Sequence, residues 1–86
     1  MVVNAIVCKK CNNVLFSRNV HDYRECDCGL ISIDGGFDYV RICGDENDFE
    51  EVRIVIDATM RDIDIDWNYR FDKLGKYPDV TYVTFA

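Results

Sequence analysis

One proline, one histidine, one tryptophan and no long apolar run: what this chain of 86 residues has little of removes several classes at once. A single proline excludes a proline-rich linker, and 49% hydrophobic residues with 13% aromatics exclude disorder. No stretch approaches the roughly 20 apolar residues of a membrane-spanning helix, so no membrane partner is expected. The opening MVVNAIVCKKC has neither the charged n-region nor the apolar h-region of a secretory signal, and a cytoplasmic location is the expectation. Catalytic motifs are equally scarce. There is no H-E-x-x-H, no P-loop and no H-x-E followed by P-C-x-x-C, so the chain is expected not to be an enzyme.

What is present is cysteine. Five of them in a chain without a signal read as metal ligands sooner than as disulfides, because a reducing compartment favours thiolates. Cys8, Cys11, Cys26 and Cys28 form C-x2-C-x14-C-x-C. Four soft sulfurs are the full ligand set of a tetrahedral structural Zn²⁺ site, whereas a catalytic zinc keeps one position open. The sequence therefore predicts a structural zinc ion held by these four residues, with His21 as a neighbour on the long connection. Cys43 stands apart and is expected to be a small buried hydrophobe beside Ile42.

Chains this short bury little surface and commonly need such a staple. We expect a single domain, 1–86, made of a zinc-bound subdomain over residues 4–44 and an acidic, β-rich extension over residues 45–86. Asn4 to Val7 and Asn13 to Phe16 read as two arms of a hairpin around the first cysteine pair. Ile31 and Ile33, then Asp34-Gly35-Gly36, then Val40 and Ile42 read as a second hairpin with a tight turn. After the polar break Gly44 to Asp48, the alternation of Val52, Ile54 and Ile56 predicts a strand, and Val55 on the other face suggests cover from both sides. Residues 62–71 alternate apolar and polar with period two and are read as another strand. A helix carrying Trp67, Phe71 and Leu74 on one stripe, ending at Gly75, is the rival. Val80 to Phe85 is expected to be the last strand. The fold class is thus a small mainly-β, zinc-ribbon-like domain with a β-rich acidic C-terminal extension.

Charge is uneven. Residues 1–44 balance five basic against five acidic side chains, while residues 45–86 hold five against eleven, so the formal charge of −6 resides in the second half. Such a field repels phosphates and attracts basic surfaces. The row Asp57, Asp62, Asp64 and Asp66 is the candidate binding surface, with Trp67 and Tyr69 as aromatic anchors if exposed. An alternating strand at a sheet edge could also pair with a second copy in a homodimer. A nucleic-acid-binding zinc ribbon is the alternative, with Lys9, Lys10, Arg18, Arg24 and Arg41 as phosphate contacts and Tyr23 or Phe37 as a stacking platform.

At Cys8-x-x-Cys11, His21-Asp22-Tyr23, Cys26-x-Cys28-Gly29, Asp34-Gly35-Gly36 and Tyr39-x-Arg41 the chain resembles a family of short, functionally uncharacterised zinc-ribbon-like proteins of tailed bacteriophages and bacteria. The resemblance covers about residues 4 to 50. It implies a metal-bound, β-rich fold and an accessory protein made during infection; the acidic row, for its part, leads to the expectation of a small interaction module that binds a host protein and inhibits or redirects it. It also implies that His21-Asp22 and Asp34-Gly35-Gly36 either shape the two hairpins or line one surface beside the metal.

Overall fold

Burial alternates along the first strand in a way only a central strand shows. In Val2–Cys8 (β1), Val3, Ala5 and Val7 are buried on one face, and Ile6 and Cys8 on the other. Something must therefore cover both faces. The computed structural model, which describes residues 1–86, supplies a helix on one side and a second sheet on the other.

The elements follow β1 as Val14–Leu15 (β2), Arg24–Glu25 (β3), Ser32–Asp34 (β4), Arg41–Cys43 (β5), Phe49–Val55 (β6), the helix Met60–Asn68 (α1), Lys76–Tyr77 (β7), a 3-10 turn Val80–Tyr82, and Thr84–Phe85 (β8). Two antiparallel sheets result, one in the order β7-β2-β1-β6-β8 and one in the order β3-β4-β5. Val3, Ala5, Val7, Val14, Phe16, Ile54 and Ile56 pack with Ile63 of α1. On the opposite face Ile6, Cys8 and Leu15 pack with Cys26, Ile31 and Ile33. Each such aliphatic or aromatic side chain contributes about 1.5–3 kcal/mol when fully buried.

Both expected hairpins are present, but the second is closed by a loop over residues 35–40 and not by a tight turn. Ile6 pairs with Leu15 and Val7 with Val14 around the first cysteine pair. Ser32, Ile33 and Asp34 pair with Cys43, Ile42 and Arg41 around the two glycines. Gly35 has φ +88°, and a Cβ there would lie 2.0 Å from the Tyr39 carbonyl oxygen. Gly35→Ala is accordingly expected to lower stability by more than about 1 kcal/mol, read as a shift of the urea midpoint at constant slope.

The strand after the polar break also forms, and it pairs with β1 over seven residues, from Val2 opposite Val55 to Cys8 opposite Phe49. The larger sheet thus runs across the break at Gly44, and β6 from the acidic half is the longest partner of β1. Val52 is half-buried while Ile54 and Ile56 are buried; Val55, expected to be covered, is 43% exposed because the smaller sheet does not reach it.

The strand expected over 62–71 is instead α1, which ends at Asn68. Its start is a capping box: the Thr59 hydroxyl accepts the Asp62 N–H at 3.2 Å, and the Thr59 N–H donates to the Asp62 carboxylate at 2.8 Å. Its end is a Schellman motif, with Phe71 N–H bonded to the Asp66 carbonyl and Arg70 N–H to the Trp67 carbonyl. The left-handed residue that closes it is Arg70 (φ 56°), where glycine is usual, and its guanidinium lies 3.8 Å from the Trp67 ring centre. Gly75, expected in the rival reading to end the helix, lies beyond it, where the chain passes close to Phe16. The last expected strand shrinks to Thr84–Phe85, because Asp79 caps a 3-10 turn ahead of it. No helix is long and apolar enough to cross a membrane.

Candidate metal centre

Each cysteine pair sits on a turn that the local sequence dictates. After Cys8 the chain reverses through Asn12, whose φ of 66° suits asparagine, and Cys8 exchanges backbone bonds with Asn12 and Asn13. The Cys11 N–H points at the Cys8 sulfur at 3.5 Å. The second turn repeats the device: Gly29 takes φ 75°, its N–H bonds the Cys26 carbonyl, and the Ile31 N–H points at the Cys26 sulfur at 3.4 Å. Amides aimed at sulfur stabilise thiolate over thiol.

Asn13 locks the two turns together. Its side-chain carbonyl accepts the Asp27 N–H at 2.7 Å, and its amide donates to the Pro78 carbonyl at 3.0 Å. Lys76 adds an ion pair to Asp27 at 2.8 Å. The result is that Cys8, Cys11, Cys26 and Cys28 present four sulfurs all within 4.8 Å of one another. Cys8 and Cys28 are 3.5 Å apart, and Cys26 and Cys28 3.4 Å. A tetrahedral ion with metal–sulfur bonds of about 2.3 Å needs sulfurs about 3.8 Å apart, so the cluster fits one.

The thiols betray the crowding. Burial raises Cys11, but bonds from the Asn13 and Cys28 amides and from the neighbouring thiols outweigh it and bring its pKa down to about 7. Cys26 is likewise lowered, burial being outweighed first by the Ile31 amide. At Cys28 the Leu30 amide acts downward, yet burial and the Cys26, Cys8 and Cys11 sulfurs push it up to about 12. For all four to ionise together in this volume, a cation has to lie among them, and the sulfur positions leave room for one.

The other candidates fall elsewhere. His21 is exposed and lies outside the four-sulfur group. Cys43, expected to be buried, is exposed, since its register opposite Ser32 on edge strand β5 turns it away from Ile42's side of the sheet. Because residues 62–66 are helical, the four aspartates are not one strand edge. Asp57 precedes the helix, Asp62 caps it and Asp64 is exposed, while Asp66 is buried.

Asp66 belongs to a network that sequence reasoning missed. Arg18 donates to Asp22 at 2.8 Å and to Asp66 at 2.6 Å, with all three side chains about 95% buried. Arg24 bonds Asp22 at 3.3 Å and also pairs with Asp72. Asp66 further accepts the Lys73 and Leu74 amides, fixing the chain beyond the helix. Burial alone would raise both carboxyls, but the hydrogen bonds they accept, from Arg18 first at Asp22 and from the Lys73 amide first at Asp66, hold them below the ordinary range. Two of the five candidate phosphate contacts, Arg18 and Arg24, are thereby consumed, and Arg41 is engaged by Asp34 in a two-pronged pair at 2.9 Å. Of the stacking candidates, Phe37 packs on Phe16 at 6.2 Å and Tyr23 bonds Glu25. The Asp34-Gly35-Gly36 turn is tied down as well, the Gly36 N–H donating to the Ser17 hydroxyl at 2.9 Å.

A family model described as a domain of unknown function (DUF7695) matches residues 1–44, the half of the chain that carries all four clustered cysteines. Neither a curated protein nor a solved structure matches the chain.

Proposed function

We propose a docking role for this chain, which belongs to the DUF7695 family of domains of unknown function: a small module stapled by structural zinc that acts by binding a protein and not by catalysis. The four-sulfur cluster supports the zinc, because sulfur donors at tetrahedral spacing suit zinc and leave no position for water or substrate. What the ion supplies is folding energy. The buried ionisable side chains Arg18, Asp22, Arg24 and Asp66 neutralise one another inside the fold.

The observation that carries the docking role is an exposed aromatic pair beside exposed acids. Tyr69 and Phe71 stack at 5.8 Å, yet are 69% and 56% exposed. Phe71 lines a hollow of 220 Å³ with Asp57 and Asp62, and Asp64 is exposed on the same helix. Acids steer a basic partner, and aromatic side chains anchor it once it arrives. The resemblance to proteins of tailed bacteriophages supports an accessory role in a host cytoplasm, where the partner is a host protein whose basic surface is blocked or redirected. The nucleic-acid reading is weaker, since among its five candidate cations only Lys9 and Lys10 have no acidic partner here, against a net charge of −6.

Tagged, zinc-loaded protein incubated with host lysate, in parallel samples with and without nuclease, tests this. A protein retained by the wild type and lost with Asp57→Lys/Asp64→Lys is the expected result. Retention of nucleic acid alone, falling steeply with salt, overturns it.

A further inference from the structure

The face of the larger sheet opposite α1 is only partly covered. Register places Val2 beside Val55, Asn4 beside Arg53, Ile6 beside Glu51 and Cys8 beside Phe49 on this face. Ile33 and Ile42 of the smaller sheet cover the Ile6 and Cys8 end. Beyond it the cover stops, leaving a groove of 520 Å³ with Val40 and Ile42 as one wall and Asn4, Glu51 and Arg53 as the other. At its far end Val2, 42% exposed, and Val55, 43% exposed, form an apolar ledge.

We infer that this face takes a second copy of the chain in a two-fold dimer. The argument is self-complementarity, which a two-fold interface requires. Glu51 and Arg53 are two residues apart on one strand and point the same way, and neither has an ion-pair partner within the chain. A two-fold axis passing between them sets Glu51 of each copy against Arg53 of the other. The same operation carries the ledge of one copy toward the wall of the other, so that Val2 and Val55 meet Val40 and Ile42 twice. Charge within the face sums to zero, since Arg41 at its rim is matched by Asp34. The chain's negative charge lies elsewhere and does not oppose the contact. A basic partner of the kind proposed for the helix face finds no net negative charge here, which is why a second copy is the occupant that fits. This inference stands independently of the docking role and uses the opposite side of the sheet.

Sedimentation of the zinc-loaded full chain from micromolar to millimolar concentration tests it. The expected mass is twice the 10.0 kDa of one chain at the upper end. Glu51→Arg, which sets two arginines against each other's mates, is expected to halve that mass, and Glu51→Arg/Arg53→Glu to restore it. Far-UV dichroism and one zinc per chain establish that each variant is folded. A folded chain that is monomeric throughout, a dimer that Glu51→Arg leaves intact, or a double swap that stays monomeric overturns the inference.

Discussion

Stripping the metal with a strong chelator is expected to abolish cooperative unfolding of this chain, as is Cys26→Ser. The magnitudes decide it. Four thiolates around zinc contribute about 10–16 kcal/mol near neutral pH in small zinc-dependent folds, whereas a whole domain's net stability is only about 5–15 kcal/mol. The geometry says how far the damage spreads. Cys8 and Cys26 are buried in the core between the two sheets, and Cys8 is the last residue of β1. Since β1 pairs along its length with β6, loss of the staple reaches both halves of the chain. Far-UV dichroism should lose its β signal in step with zinc release. Cys43→Ser is the control: its sulfur is exposed and outside the cluster, so the unfolding curve should not move.

The second large effect lies in the buried ion network. Asp66→Ala should destabilise the zinc-loaded protein by about 3 kcal/mol, because it leaves the Arg18 guanidinium buried beside one carboxylate and orphans the Lys73 and Leu74 amides. The low end of the range for a broken buried pair applies, since Asp72 stays within 3.8 Å of Arg18. Asp34→Ala, which breaks the exposed pair to Arg41, should be nearly silent in the same urea titration.

The network also sets a pH dependence whose sign is fixed. Asp22 and Asp66 are held below the ordinary aspartate value of about 3.9 in the folded state. Their contribution is therefore fully present above that value and is lost as pH falls through their lower folded values. Acid also displaces zinc by protonating the thiolates, so the network's share is read as the difference between wild type and Asp66→Asn. That difference should be constant from neutral pH down to about 5 and shrink below about 4. A difference that grows in acid would contradict the assignment.

Local signals carried the metal half of the molecule. The turns at Asn12 and Gly29 and the glycines of the second hairpin are set by residues within a few positions of one another, and the paired spacing of the four cysteines marked the cluster although its two pairs lie apart in sequence. The helix was hidden for two reasons. Ile63 and Ile65 alternate with aspartates, which imitates a half-buried strand, and the αL position that glycine would have marked is Arg70. Thr59-x-x-Asp62 was the available signal, a capping box written with aspartate. Asp66 reads as solvent-facing in any periodicity argument, because its partner Arg18 is 48 residues away in sequence. Cys43 looked buried by composition, but the register of an edge strand turned it outward. Long-range pairing and edge position are consequences of tertiary structure, and neither leaves a periodic trace.

X-ray absorption at the zinc edge of protein purified without chelator bears most directly on the central claim, that four cysteines saturate one structural zinc. The account requires one zinc per chain with a first shell of four sulfurs at about 2.3 Å. A shell containing nitrogen or oxygen, as His21 or water would give, or protein that folds with no zinc, would contradict it.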